Sequence, residues 1–412
     1  MDRLTRRKFL IRSGVVGGAA LATGSGVYTL ADILGTAGWQ DRPADARTLV
    51  LVTLYGGNDG LGTVIPYADP AYQAARPELA YQPGEVLHLD DQLGLNPGMK
   101  GFADLFRSNR LAIVRGVEYP KPDHSHFRSM DIWQTGSPVR PANTGWLGRW
   151  LDATGGDPRH AVSFEPVLPV VLAGATTAGA AVPPNGGRRT RAVQAALAGF
   201  GRPAPGEPPL QARAARAFAD LLGIETMIHD LPAPAEAPDE DANAPQATGT
   251  GGRGALGPQL DLVARCVEAG VATRVFSVSL GGFDLHADEK ANQQRLLTEL
   301  DAAVTSFVHR MAGTPRGRQV VVAIYSEFGR RVRANASQGT DHGTASDVFL
   351  LGSPVRGGFH GAQPSLTDLD NGDLKVTTDF RDVYATLLRD VLDTDPGQVL
   401  AGWSSRLSGV LD

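Results

Sequence analysis

Cysteine is almost absent from this chain of 412 residues. Cys266 stands alone in a helix-like stretch, so no intramolecular disulfide can form and stability must come from a packed core. Lysine and arginine never gather into a long run and the formal net charge is −5, which argues against nucleic-acid binding as the main task. Beyond the N-terminal segment no apolar run approaches the ~20 residues that a spanning helix needs, so no membrane span is expected in the mature chain. Internal repeats are missing too. Ser-Pro-Val-Arg at 137–140 and 353–356 is adequately explained by chance.

Glycine, by contrast, is plentiful (50 residues), and hydrophobic content is ordinary at 42%. Apolar runs at Thr48–Tyr55, Leu111–Val117, Ala161–Phe164, Val167–Leu172, Arg274–Leu280, Gln319–Tyr325 and Val348–Leu351 read as buried strands. Helical patterns fall between and after them, at 97–108, 209–229, 258–269, 288–312 and 379–393. This alternation predicts an α/β fold with a mostly parallel central sheet and helices on both faces. The Pro-, Ala-, Gly- and acid-rich stretch 232–257 is expected to be an exposed insertion.

Four strand ends carry carboxylate or imidazole, usually beside glycine. They are Gly56-Gly57-Asn58-Asp59-Gly60, Asp123-His124-Ser125-His126 with Arg128, Gly282-Phe283-Asp284-Leu285-His286, and Glu327-Phe328-Gly329-Arg330 followed by Asp341-His342-Gly343. In an open α/β sheet the loops at the carboxyl ends of the strands form the site. Carboxylate oxygen and imidazole nitrogen suit a divalent ion, Zn, Mn, Mg or Ca, and glycines let the loops converge on it. Each cluster alone is ordinary turn chemistry; their recurrence is the signal.

Residues 1–37 open with Thr5-Arg6-Arg7-Lys8-Phe9-Leu10 before a soft apolar stretch, and Gly35-Thr36-Ala37 offers small residues for cleavage. This resembles a twin-arginine (Tat) export signal, so the chain is expected to meet the Tat translocon and to end in the periplasm or outside the cell.

The export motif, Gly-Gly-Asn-Asp-Gly, Ser-His-Phe with Asp131-Ile132-Trp133, Gly-Gly-Phe-Asp-Leu-His, Ser-Glu-Phe-Gly-Arg and Asp-His-Gly occur here in one linear order. Together they resemble the domain-of-unknown-function family 1501, over about residues 47–405 as a single domain. That family is grouped with the alkaline phosphatase and sulfatase superfamily, which implies an alkaline-phosphatase-like α/β fold. Carried over residue by residue, the resemblance implies Asp59, Asp284, His286, Glu327 and His342 as metal ligands and Ser125 as nucleophile, with Ser129 as fallback. Arg128 or Arg330 could hold an ester oxygen. Phe328 stands where the superfamily has an imidazole, and one residue rather than three separates Asp284 from His286. Cys266 lacks the proline and arginine of a formylglycine motif, which disfavours a formylglycine sulfatase.

The expected function is hydrolysis of phosphate or sulfate esters through a serine nucleophile, in an exported and metal-dependent enzyme. The alternatives are a binding or assembly protein that kept the fold without the chemistry, and a metal-dependent mutase. The resemblance also implies a second exported protein, encoded nearby, as a functional partner.

Overall fold

Thr48–Tyr55 forms the central strand β1, and all eight of its side chains are buried, as expected where both faces of a sheet are covered. In the computed structural model the described residues are 30–37, 45–139, 142–165, 167–182 and 256–412. The helical pattern at 209–229 and most of the 232–257 insertion lie outside them, as do residues 1–29 of the export segment.

The strands that follow β1 are β2 (Leu111–Glu118), β3 (Ala161–Ser163), β4 (Ala180–Ala181), β5 (Val275–Gly281) and β6 (Val320–Ser326). After them come β7 (Arg330–Ala334), β8 (Thr340–His342), β9 (Ser346–Leu351), β10 (Gly358–His360) and β11 (Thr378–Asp379). Nine of these build one sheet in the order β10-β2-β9-β6-β1-β5-β3-β4, with β11 also on β2. Every pairing in it is parallel except those of β9, which runs against both β2 and β6. The expected α/β class is therefore the observed one, with a single reversed strand inside a mostly parallel sheet.

Helices cover both faces: α1 (Lys100–Arg107), α2 (His126–Thr135), α3 (Trp146–Ala153), α4 (Leu256–Ala269), α5 (Glu289–Ala312) and α6 (Phe380–Asp390). Because side chains alternate along a strand, β1 sends Val50, Val52 and Leu54 to the face packed by α1, α4 and α5. Leu49 and Leu51 face α2, α3 and α6 instead. On that second face Trp133 stacks on Tyr325 with ring centroids 5.0 Å apart, and Trp146 stacks on Tyr384 at 4.4 Å.

One expected strand did not form. The Val167–Leu172 run closes as a short 3-10 turn at Val170–Leu172. Pro169 interrupts it, and proline has no N–H to give a ladder. Helices α2 and α3 were not read from the apolar pattern: polar residues mask the stripe of α2, and α3 spans only about two turns.

Candidate metal centre

Three parallel strands, β1, β5 and β6, end side by side, and their loops deliver Gly56 to Asp59, Phe283 to His286, and Glu327 to Gly329 at one edge of the sheet. The hairpin β7–β8 returns to that edge with His342, and α2 begins there with His126. Close approach requires glycine at Gly56, whose φ is +117°. A Cβ there would lie 2.4 Å from the Asp284 amide nitrogen.

Arg330 ties these loops together from below. Its Nε donates to the Gly57 carbonyl (2.6 Å) and Nη1 to that of Thr340 (3.0 Å). Nη2 reaches the carbonyls of Gly56 (2.6 Å) and Phe283 (3.1 Å) and Asp284 Oδ1 (2.8 Å). The side chain is fully buried. All three of its guanidinium nitrogens are engaged inside the protein, so Arg330 positions the site rather than gripping an ester oxygen.

Around Asp284 Oδ1 three imidazoles converge, with His286 Nε2 at 2.9 Å, His342 Nε2 at 3.1 Å and His126 Nε2 at 3.4 Å. His126 Nδ1 lies 2.8 Å from Glu327 Oε1, and His342 Nδ1 lies 2.7 Å from the His124 carbonyl oxygen. Both partners are acceptors, so each Nδ1 carries a proton, and each Nε2 is the atom left to face Asp284. His126 Nε2 is buried and has no hydrogen-bond partner. His286 Nε2 stands 3.0 Å from His342 Nε2, within hydrogen-bond distance. One ligand atom each from His126, Asp284 and His342 lies within 4.8 Å of the others, the spacing of a metal-binding group. The orphaned Nε2 and the fixed tautomers make these residues fit a divalent ion, with His286 at the rim.

Without an ion, the carboxylates are the partners of His126. Burial opposes charge on His126, but the Asp284 and Glu327 carboxylates beside it outweigh that and push its pKa up to about 9, so a proton competes with a cation there. Burial also works against the charged form of Asp284, yet hydrogen bonds from His126, His342 and Arg330 hold its carboxyl well below the usual range. His286 is lowered by burial and by the Arg330 charge, which keeps it neutral at pH 7.

Glu327 stands behind His126 rather than among the metal-binding atoms. Its Oε1 also accepts the Gly56 N–H (2.9 Å), its Oε2 accepts the Ser326 hydroxyl (3.0 Å), and the residue is buried. Phe328 is buried as well, its ring 4.8 Å from that of His126 and 4.9 Å from that of His342, an apolar wall beside both imidazoles.

Asp59 is not brought to this group. Its two carboxylate oxygens meet the Arg76 guanidinium, with Oδ1 2.9 Å from Nη2 and Oδ2 paired to Nη1, and both side chains are buried. Arg76 further donates to the carbonyls of Val332 (2.8 Å) and Arg331 (2.7 Å) in β7. A planar fork that matches a carboxylate this well supplies the positive charge expected from a metal.

Ser125 caps α2. Its exposed hydroxyl accepts only a long hydrogen bond, 3.5 Å, from the Arg128 N–H, and its own N–H donates to Asp123 Oδ1 (2.8 Å). Ser129 is fully buried and bonded to the Tyr119 hydroxyl and the Asp123 carbonyl, both at 2.8 Å, which makes it a lock on the loop. Arg128 is half-buried, and its charge acts on Asp131. His126 was not singled out in the sequence. The usable signal was its place as the first residue after a capping serine, on the loop that follows a buried strand.

A model of one protein family, "Protein of unknown function (DUF1501)", matches residues 114–411, more than half of the chain. The chain belongs to that family. The DUF1501 segment contains all the converging residues and leaves out Asp59 and Arg76. No curated protein matches the chain. Among solved structures, a protein of the alkaline phosphatase superfamily from Vibrio parahaemolyticus is 9% identical with a TM-score of 0.42, covering 95% of this chain and 78% of its own. A TAB5 alkaline phosphatase variant with bound magnesium is 11% identical with a TM-score of 0.34, covering 76% and 95%. A candidate sulfatase from Bacteroides thetaiotaomicron is 12% identical with a TM-score of 0.34, covering 88% and 76%.

Proposed function

We propose that this DUF1501 protein is an exported, metal-dependent hydrolase of phosphate or sulfate esters. The observation that carries the proposal is the pair His126 and His342. Their Nδ1 protons are committed to Glu327 and to the His124 carbonyl, so both Nε2 atoms meet the Asp284 carboxylate. Two nitrogens and a carboxylate suit zinc or manganese better than magnesium or calcium. His126, Asp284 and His342 would hold such an ion, which would supply Lewis acidity and offset negative charge on a phosphoryl or sulfuryl group.

The chain's own residues do the rest. Glu327 keeps His126 in the binding tautomer, Arg330 holds the three loops in register, and Phe328 keeps water from one side. Ser125 Oγ stands at the start of α2, one residue before His126, where the helix N-terminus favours developing negative charge. Its oxygen attacks phosphorus or sulfur in line, the bond to the leaving oxygen breaks, and the serine proton passes to solvent. Water then hydrolyses the seryl ester. Export is supported by Arg6 and Arg7 ahead of the soft apolar stretch.

A panel of 4-nitrophenyl phosphate, bis(4-nitrophenyl) phosphate and 4-nitrophenyl sulfate tests the reading. Ser125→Ala is expected to lower kcat by about 10³-fold or more, with metal content unchanged. Undiminished hydrolysis by that variant rejects Ser125 as nucleophile.

A second reading, a binding or assembly protein without catalysis, is favoured by one observation. The pairing of Asp59 with Arg76 leaves a single metal-binding group among the described residues. Wild-type protein that binds metal but turns over no ester in the panel selects this reading.

A further inference from the structure

The short helix Leu30–Leu34 and the turn after it lie inside the segment read as an export leader, yet they are packed as part of the body. Ile33 is fully buried in the cluster formed by α1, α4, α5 and one face of the sheet, and Leu30 and Leu34 pack against the same cluster. Thr36 is fully buried too. Its hydroxyl donates to the Ile33 carbonyl (2.7 Å) and accepts the N–H of Ala272 (2.9 Å), three residues before β5. Backbone bonds from Thr36 to Ile33 (3.1 Å) and from Ala37 to Leu34 (3.0 Å) close the turn.

A leader peptidase reads the residues before its cut as extended, accessible chain with small side chains. Gly35, Thr36 and Ala37 have the small side chains but not the conformation, since Thr36 points into the protein and the turn is hydrogen-bonded. Cutting after Ala37 would release Ile33 from the core and strip the Ala272 N–H of its acceptor. We propose that Leu30–Ala37 is a permanent strap of the folded protein. Leader removal, which rests on the export reading above, then ends upstream of Leu30.

Two measurements on the full chain test this. Ile33→Ala and Thr36→Val should each lower Tm by about 2 °C or more, the first through a cavity and the second through an orphaned N–H. Unchanged Tm in both variants overturns the strap. Mass spectrometry of protein recovered from the export compartment should find an N-terminus at or before Leu30, and one at Gly38 overturns the proposal. A chain that is never exported contradicts the export reading instead, and the two Tm values then decide the strap on their own.

Discussion

Arg76→Ala is expected to destabilise the protein by about 3–5 kcal/mol, the cost of leaving a buried carboxylate without its partner. Asp59 lies in the interior, and Arg76 supplies the cation that meets its two oxygens. The substitution also removes the donors to the Val332 and Arg331 carbonyls, which hold β7 against the segment that follows β1. The loss therefore spreads to the hairpin that carries His342. Urea unfolding of wild type and variant measures it. The double variant Asp59→Asn with Arg76→Met should recover part of the loss, because no charge is then buried unpaired. A destabilisation below about 1 kcal/mol in the single variant contradicts the assignment.

Asp284→Asn is expected to have the largest effect on function. The side chain keeps its shape and an acceptor for Arg330, but loses the charge around which His126, His286 and His342 gather. Metal affinity should fall by about 10²-fold or more, beyond what loss of a supporting hydrogen bond costs, and ester turnover should fall with it. Asp284 is partly exposed, so unfolding should change far less than in Arg76→Ala. Equilibrium dialysis against zinc, paired with a thermal melt, separates the two effects. Wild-type affinity in Asp284→Asn contradicts the proposed ligand set.

The sheet edge was legible because its physics is local. β1, β5 and β6 each begin and end within a residue of the apolar runs that foretold them; the first two runs stop on glycine and the third on Ser326 just before Glu327. Asp284 and His286 follow β5 directly, and the β7–β8 hairpin that follows β6 returns His342 to the same edge, β5 and β6 both flanking β1. What stayed hidden depends on partners distant in sequence. The reversed direction of β9 follows from its pairing with both β2 and β6, which no local pattern specifies. Asp59 was read as a ligand because nothing near it in sequence announces Arg76. Glu327 and Arg330 carried the right charges for a site, but their roles depend on which atoms fill their hydrogen bonds. His126 was overshadowed by Ser125, its neighbour at the helix start.

A calorimetric titration of metal-free protein with zinc tests the central claim most directly. The account predicts one ion per chain, with affinity rising with pH between about 6 and 8. His126, whose pKa is held near 9 without metal, must give up a proton as the ion binds, and that proton competes less as pH rises. No uptake by the wild-type protein, or equal uptake by a variant lacking both the His126 and His342 imidazoles, would contradict it.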